Sequence, residues 1–384
     1  MINALALNLI ASVMDWTNEE ASKEYAWLKL MSAVKYDGYS DFRAGVRFLE
    51  SLVTWLKQFD IKDRDFAYKL VKNRLVYISA AEMQQVIESF VPEVVTPYLR
   101  GVVAKELKLK PYEVWGSQLG AVAFKDRLRR CLFVGLSDGS RIDILRRSNA
   151  GILSQEQVLP MMNIGNEKWR GLNKDLIAEQ GEGAKFEDVY LIDDFTASGT
   201  TFIRKSAGAW KGKLDKFEKM LGQARKDLRD KFPIADDYNL HIHHYVSTHQ
   251  AQDALAARVS EAERDWKEKT FDSVSITEGT LLPKNLRMGL VPDGEDKMIA
   301  ADILDASALS LCEKYYDHHL YLRLKVHCDE AGQSNMKYGY ANCALPLILE
   351  HNTPNNALSL LWAETKGVNG HPMRPLFLRR DRHG

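Results

Sequence analysis

Two adjacent carboxylates and a short loop of hydroxyl residues and glycine lie together near the middle of the chain. The carboxylates are Asp193 and Asp194, directly after the apolar run 189–192. The loop that follows consists of Thr196, Ala197, Ser198, Gly199, Thr200 and Thr201. Backbone N–H groups in such a loop, and the amino end of a helix, favour an anion such as a phosphate. Carboxylates accept hydrogen bonds from the hydroxyl groups of an attached sugar. The pattern predicts a site for a sugar phosphate.

The elements that would position these groups follow from the same pattern. The run 189–192 predicts a buried strand, and we expect a helix to begin directly behind Thr201. Adjacent residues of a strand point to opposite faces of the sheet. Both acids can therefore meet one sugar only if the strand ends at Asp193 and the backbone turns there. The alternative is an ordinary strand end with a solvated acid pair and a hydroxyl that caps the helix.

The order of residue types from Val189 to Thr201 resembles the phosphoribosyl-pyrophosphate (PRPP) signature of type I phosphoribosyltransferases. In that family four apolar strand residues precede two acids, and a Thr/Ser–Gly–x–Thr/Ser loop follows. Every class position is met in this sequence. The resemblance implies that the loop Thr196–Thr201 holds the 5′-phosphate of PRPP. It also implies that Asp193 and Asp194 are catalytic residues that bind the ribose hydroxyls.

A PRPP site also needs a place for the pyrophosphate. In the family that this sequence resembles, that place is an earlier strand-end loop with glycine and a basic residue. The candidate here follows the apolar run 131–134 and contains Ser137, Asp138, Gly139, Ser140 and Arg141. Glycine lets N–H groups converge on an anion, and an arginine grips phosphate with its fork of donors. Asp138 departs from the expected pattern, because it repels pyrophosphate unless a magnesium ion lies between them. The alternative is a plain connection between a strand and a helix.

The chemistry implied by the resemblance is displacement of pyrophosphate from C1 of the ribose. Positive charge develops on the sugar and negative charge on the leaving group, which Mg²⁺ would neutralise as cofactor. Magnesium keeps waters and takes ligands from the substrate, so no dedicated metal site is predicted in the protein. The acceptor is not identified by the sequence. The amides of 352–356 and Trp362 could contact a base, but a turn with Trp362 in the core is the simpler interpretation.

Composition limits the class of protein. Lysine plus arginine equals aspartate plus glutamate, 52 each among 384 residues, so no overall basic field indicates nucleic acid. No apolar run is long enough to span a membrane, and the apolar start of the chain is interpreted as a first helix. The spacing of the four cysteines favours reduced, buried thiols. We therefore expect a cytoplasmic protein that is not attached to a membrane.

Hydrophobic periodicity predicts the fold class and three consecutive segments. Residues 1–110 have helical spacing and predict an N-terminal all-helical domain. Strand and helix patterns alternate over 111–300, which predicts an α/β core with a mainly parallel sheet and flanking helices, like a type I phosphoribosyltransferase. We expect the C-terminal segment 301–384 to form a hood over the site.

Two other groups of residues invite functional interpretations. The histidines His241, His243 and His244 lie on one predicted strand but lack the spacing of a metal site, so packing is favoured over metal binding. The basic clusters 125–130 and 146–147 could contact a nucleic acid, but such runs are usually solvated helix faces.

The leading functional hypothesis is a PRPP-binding protein that carries out Mg²⁺-dependent phosphoribosyl transfer or PRPP hydrolysis. The alternative is a non-catalytic PRPP or nucleotide sensor. The helical extension and the segment Thr353–Asn356, followed by Leu361–Trp362, resemble bacterial phosphoribosyltransferase-like proteins associated with anti-phage clusters, including retrons. That resemblance implies a defence-system protein as partner. A nucleic-acid or protein scaffold is a third hypothesis, and the oligomeric state is not determined by the sequence.

Overall fold

The computed structural model describes residues 3–266, 269–289 and 303–379, which form two compact units. One unit is Met83–Leu282, and the other combines Met1–Glu82 with Pro283–Gly384. The α-helices are α1 (Asn3–Met14), α2 (Asn18–Val34), α3 (Phe48–Leu56), α4 (Ile61–Asn73), α5 (Ala80–Phe90), α6 (Thr96–Leu107), α7 (Gln118–Arg129), α8 (Ile142–Ser148), α9 (Asn166–Gln180), α10 (Lys213–Leu228), α11 (His249–Asp265), α12 (Ile303–Lys314), α13 (His319–Arg323), α14 (Lys325–Glu330) and α15 (Ser359–Trp362). The strands are β1 (Val76–Ile78), β2 (Cys131–Gly135), β3 (Val158–Leu159), β4 (Phe186–Thr196), β5 (Arg204–Ser206), β6 (Ala209–Lys211), β7 (Ile234–Thr248), β8 (Ser273–Leu282) and β9 (Leu347–Leu349).

A five-stranded sheet, parallel throughout, forms the centre of the unit Met83–Leu282. Its strand order is β3-β2-β4-β7-β8, so β2 and β4 are neighbours although β3 lies between them in the chain. After β2 the chain moves toward one edge of the sheet, and after β4 it moves toward the other. Open α/β sheets bind ligands at such a switch point, outside the carboxyl ends of the strands. The topology therefore makes the ends of β2 and β4 the place to look for a site.

The central strand β4 is apolar on both faces because helices cover both sides of the sheet. On one face, Leu191 belongs to a hydrophobic cluster that also contains Trp169 of α9, Phe217 of α10 and Leu255 of α11. On the other face, Tyr190 stacks on Phe133, with ring centroids 5.0 Å apart. Phe90 of α5 packs against the same pair, 5.7 Å from Tyr190. This packing fixes the strand whose end carries Asp193 and Asp194.

The other unit joins the two ends of the chain. β1 pairs in parallel with β9, and Val76 lies opposite Leu347. The indole Nε1 of Trp55 in α3 donates to the carbonyl of Leu360, at 2.7 Å. Phe377 stacks on Phe48 with 5.7 Å between ring centroids. The C-terminal segment therefore completes the core of the N-terminal helices.

The predicted fold class is confirmed: the sheet is parallel, helices flank it, and a helical N-terminal region is present. The short strand β1 interrupts that helical region. The division into compact units differs from the three consecutive segments expected, because aromatic residues from both ends of the chain share one core. The expected boundary at residue 300 lies outside the described residues, and the hood stays a prediction. No helix in the described ranges is long and apolar enough to cross a membrane.

The β7 histidines pack within the unit Met83–Leu282. His241 contacts Asp188 through Nε2 at 3.0 Å, and His243 contacts the Thr277 hydroxyl through Nδ1 at 2.9 Å. Burial lowers the pKa of His243 and the pKa of His244 to about 3. Both rings are therefore neutral in the folded protein near neutral pH. Within the described ranges, no three or more histidine, cysteine or acidic side chains form a group that could hold a metal ion.

These neutral histidines predict a loss of stability on acidification. The unfolded chain binds a proton at a histidine below about pH 6.5 and the folded chain does not, so the free energy of unfolding falls as the pH falls. Each such histidine should lower the free energy of unfolding by about 2 kcal/mol between about pH 7 and about pH 5. In urea unfolding, the free energy of unfolding of His243→Phe should therefore fall by about 2 kcal/mol less than that of the wild type over that interval. Parallel pH profiles of the two proteins would contradict a neutral, buried His243.

Candidate functional site

The predicted pyrophosphate loop meets the acid pair of β4 at the switch point. The hydroxyl of Ser137, which follows β2, donates to Oδ1 of Asp193 in β4 at 2.6 Å. Gly139 lies so close to the second acid that a Cβ there would be 2.5 Å from Oδ2 of Asp194. The structure thus brings the predicted pyrophosphate loop directly against the acid pair.

The acid pair lacks the backbone turn that would let both carboxylates meet one sugar. Strand β4 continues to Thr196, and the backbone does not turn at Asp193. Asp193 is bonded to Lys213 of α10, while Asp194, the next residue of the strand, lies against Gly139. The two carboxylates leave a continuing strand in opposite directions. The condition for both of them to meet one sugar is therefore not met, and their assignment as ribose ligands stays a prediction.

Asp193 is a buried carboxylate with two polar partners. Only 5% of the residue is exposed, and both of its oxygens accept hydrogen bonds, from Ser137 and from the ammonium group of Lys213. Burial raises the pKa of Asp193, whereas the charge of Lys213 acts in the opposite direction. The sequence does not reveal Lys213 as a partner, because it lies 20 residues from Asp193 in the chain.

The helix expected directly behind Thr201 is absent at that position, and this expectation was wrong. A hairpin of β5 and β6 follows instead, and α10 begins only at Lys213. Ala207 and Gly208 have positive φ angles and form the hairpin turn, which reverses the chain. The hairpin returns the start of α10 to the loop, where the Lys213 amide donates to the Thr201 carbonyl at 3.3 Å. A helix terminus thus reaches the loop by a route that local sequence does not reveal.

Side chains outside the predicted phosphate loop donate hydrogen bonds to its carbonyl groups and so hold its backbone. Arg258 of α11 donates to the carbonyl of Ser198 at 3.0 Å, and Thr248 donates to that of Ala197 at 2.7 Å. Within the described part of the chain, the amides of Ser198, Gly199 and Thr201 have no hydrogen-bond acceptor. Carbonyls held by the protein and N–H groups without an acceptor form the arrangement that an anion requires.

The predicted pyrophosphate loop is a tight turn between β2 and α8. Its centre, Asp138–Ser140, is a single 3₁₀ turn, and Ser140 donates its hydroxyl to the Ser137 carbonyl at 2.6 Å. Arg141 has a left-handed backbone and leads into α8 at Ile142. The Asp138 residue is exposed. The only acid of the loop therefore lies where a hydrated cation can reach it.

Other residues singled out from the sequence have packing partners. The Trp362 indole donates to the Ala357 carbonyl at 3.0 Å in the unit formed by the two chain ends, and the residue is buried. Three arginines of the basic cluster 125–130 form ion pairs: Arg127 with Glu187 and Asp188, Arg129 with Glu179, and Arg130 with Glu187. Ion pairs with acids of the same chain offset the charge that a nucleic acid would contact.

The loop geometry predicts that Gly199 cannot be replaced without cost. Its φ angle is +67°, and a Cβ there would lie 3.0 Å from Cγ of Leu255. Gly199→Ala should lower the free energy of unfolding by about 1–2 kcal/mol, because L-residues are strained in this conformation. The control Gly222→Ala lies within α10 with open space around the new methyl group, and it should raise stability by up to about 1 kcal/mol. Equal changes in the free energy of unfolding of the two variants, measured in urea, would argue against a strained backbone at Gly199.

A protein-family model matches most of the chain, including both loops. The family model PRTase-CE, a phosphoribosyltransferase-like family, matches residues 52–379. Comparison with curated proteins and with solved structures gave no significant match. Because the family model spans well over half of the sequence and includes the residues of the switch point, the chain belongs to the PRTase-CE family.

Proposed function

We propose that the protein binds PRPP at the switch point and catalyses a Mg²⁺-dependent reaction at C1 of its ribose. The reaction is phosphoribosyl transfer to an acceptor or hydrolysis of PRPP. The observation that carries this proposal is the contact of the pyrophosphate loop with the acid pair that precedes the phosphate loop, with Ser137 on Asp193 and Gly139 against Asp194. Ribose lies between the two phosphate groups of PRPP, so its site must lie between two phosphate-binding loops.

The 5′-phosphate would bind the loop Thr196–Thr201. Its amides without an acceptor and the nearby amino end of α10 would provide a positive potential without a basic side chain inside the loop. The arginine behind the loop, Arg258, holds the carbonyl of Ser198 and so keeps the peptide plane fixed. A preorganised loop loses less conformational entropy when the ligand binds.

The pyrophosphate would bind residues 137–141, with magnesium between it and Asp138. The donors of this loop are carboxylate and hydroxyl oxygens, which magnesium prefers, and Asp138 is exposed enough to reach a hydrated ion. Asp138 is therefore the residue that would hold the ion. When bound, the ion would neutralise charge on the leaving pyrophosphate. The protein's own contribution is to orient C1 and to present Asp194 to the sugar.

A binding and turnover measurement tests this function. Titration calorimetry with PRPP and Mg²⁺ should detect binding, and a panel of purine and pyrimidine bases should identify an acceptor through pyrophosphate release. Asp194→Asn should weaken PRPP binding about 30–100-fold, because a charged acceptor for the sugar hydroxyls is lost. Asp253→Asn, an exposed acid of α11, is the matched control and should leave affinity unchanged. Absence of PRPP binding by the wild type would overturn the proposal.

A second candidate function is sensing of PRPP or a nucleotide without turnover, as the effector of a bacterial anti-phage system with a defence protein as partner. The observation that favours it is the engagement of the acid pair by the protein itself, since Asp193 is bonded to Lys213 and Asp194 lies against Gly139. A sensor needs a site that changes on binding rather than one arranged for chemistry.

The two candidates differ in the fate of bound PRPP. A sensor should bind PRPP while ³¹P NMR shows no pyrophosphate after prolonged incubation with each base of the panel. The double variant Asp193→Asn/Asp194→Asn should then lose PRPP affinity and protection of a host against phage together. Release of pyrophosphate at a rate that this variant abolishes would instead identify an enzyme. Protection that persists in the variant would contradict the sensor.

A further inference from the structure

Lys213 has a defined position at the site although no motif includes it. It is the first residue of α10, and the hairpin before it returns the chain to the phosphate loop. Its backbone amide donates to the Thr201 carbonyl, and its ammonium group donates to Oδ2 of Asp193. The side chain is 21% exposed, against 8% for the side chain of Asp193. The lysine thus contacts the phosphate loop and Asp193 at the same time.

Asp193 is poorly accessible to a sugar, because the residue is buried and the protein already donates to both of its oxygens. One oxygen accepts from Lys213, the other accepts from Ser137, and the residue is buried. A buried carboxylate without a cation is strongly unfavourable, so a ligand that displaced Lys213 would have to replace its charge. Neutral ribose hydroxyls carry no charge and cannot do so. Asp194 is more exposed than Asp193 and lies beside the glycine of the second loop.

We propose, on the basis of the proposed PRPP site, that the two acids have different roles. Lys213, Asp193 and Ser137 form a bridge that holds the phosphate loop and the pyrophosphate loop at a fixed separation. Asp194 is the acid that contacts the ribose, and Lys213 is a positioning residue that acts through Asp193.

The geometry of the strand gives the physical reason for this division. Because β4 remains extended through Thr196, its consecutive side chains must leave in opposite directions. The start of α10 lies on the side of Asp193, and Gly139 lies on the side of Asp194. One carboxylate can therefore link structural elements while its neighbour faces the ligand. The bridge would also set the distance between the sites for the 5′-phosphate and the pyrophosphate of PRPP, because both loops are tied to Asp193.

The test is a set of PRPP affinities for variants of the full-length protein, measured by calorimetry with Mg²⁺. Lys213→Met should weaken binding about tenfold, because the uncompensated carboxylate rearranges both loops. Lys213→Arg keeps the charge and should lose less than about threefold. Adding Asp193→Asn to Lys213→Met should restore most of the lost affinity, since no buried charge remains. Asp194→Asn should be the most damaging single change.

Opposite results would overturn the division of roles. If Asp193 binds the ribose, Asp193→Asn should cost as much affinity as Asp194→Asn, and the double variant should bind more weakly than either of its single changes. Equal losses for Lys213→Met and Lys213→Arg would show that charge is not what Lys213 supplies. Rescue of affinity by a second substitution is a result that a general loss of packing cannot produce.

A ligand-free measurement separates this inference from the proposed function. Unfolding free energies of the wild type, Lys213→Met, Asp193→Asn and the double variant form a thermodynamic cycle. The pairing predicts that the double change costs less than the sum of the single changes, whereas additive losses would exclude it. A wild type that binds no PRPP would overturn the proposed function, and the cycle would still decide whether the bridge exists.

Discussion

A buried carboxylate near the carboxyl end of the central strand imposes the main constraint on the site. Asp193 lies between packed strands, where a charge is tolerated only with a cation and hydrogen-bond donors around it. The cation comes from the first residue of α10, and a donor comes from the turn after β2. Satisfying one acid thus requires a hairpin, a helix start and a neighbouring loop to converge. The candidate site is a consequence of that convergence.

The strand order explains why the convergence occurs at this point of the sheet. Neighbouring parallel strands end at the same edge, and β2 and β4 are the pair from which the chain departs in opposite directions. The departing loops therefore do not cover the gap between them. Packing of Tyr190, Phe133 and Phe90 holds β2 and β4 in register, so that the two strands end at the same edge of the sheet. The hydrophobic core and the polar site are linked through this register.

The membership of the PRTase-CE family and the contacts of the pyrophosphate loop are the two observations behind the proposed ligand. The family match concerns the order of residues along the chain, whereas the loop contacts concern their arrangement in space. The site differs from a simple reading of its signature in one respect. Its two acids are not equivalent, because one is bonded to a lysine from outside the motif. Any catalytic or sensing mechanism must account for that asymmetry.

The sequence by itself determined the class of fold, and it predicted the strand and the two loops of the candidate site. These features depend on local patterns: four apolar residues before the acids, small hydroxyl residues after them, and glycine in a second strand-end loop. Local patterns did not reveal the hairpin behind Thr201. Its turn consists of only two residues, Ala207 and Gly208, and the residues around them also fit the start of a helix. They also did not reveal that residues 1–82 and 283–384 share one core. The pairing of Lys213 with Asp193 was decided only by the tertiary structure, because it depends on where the hairpin returns the chain and on which face of β4 each acid occupies.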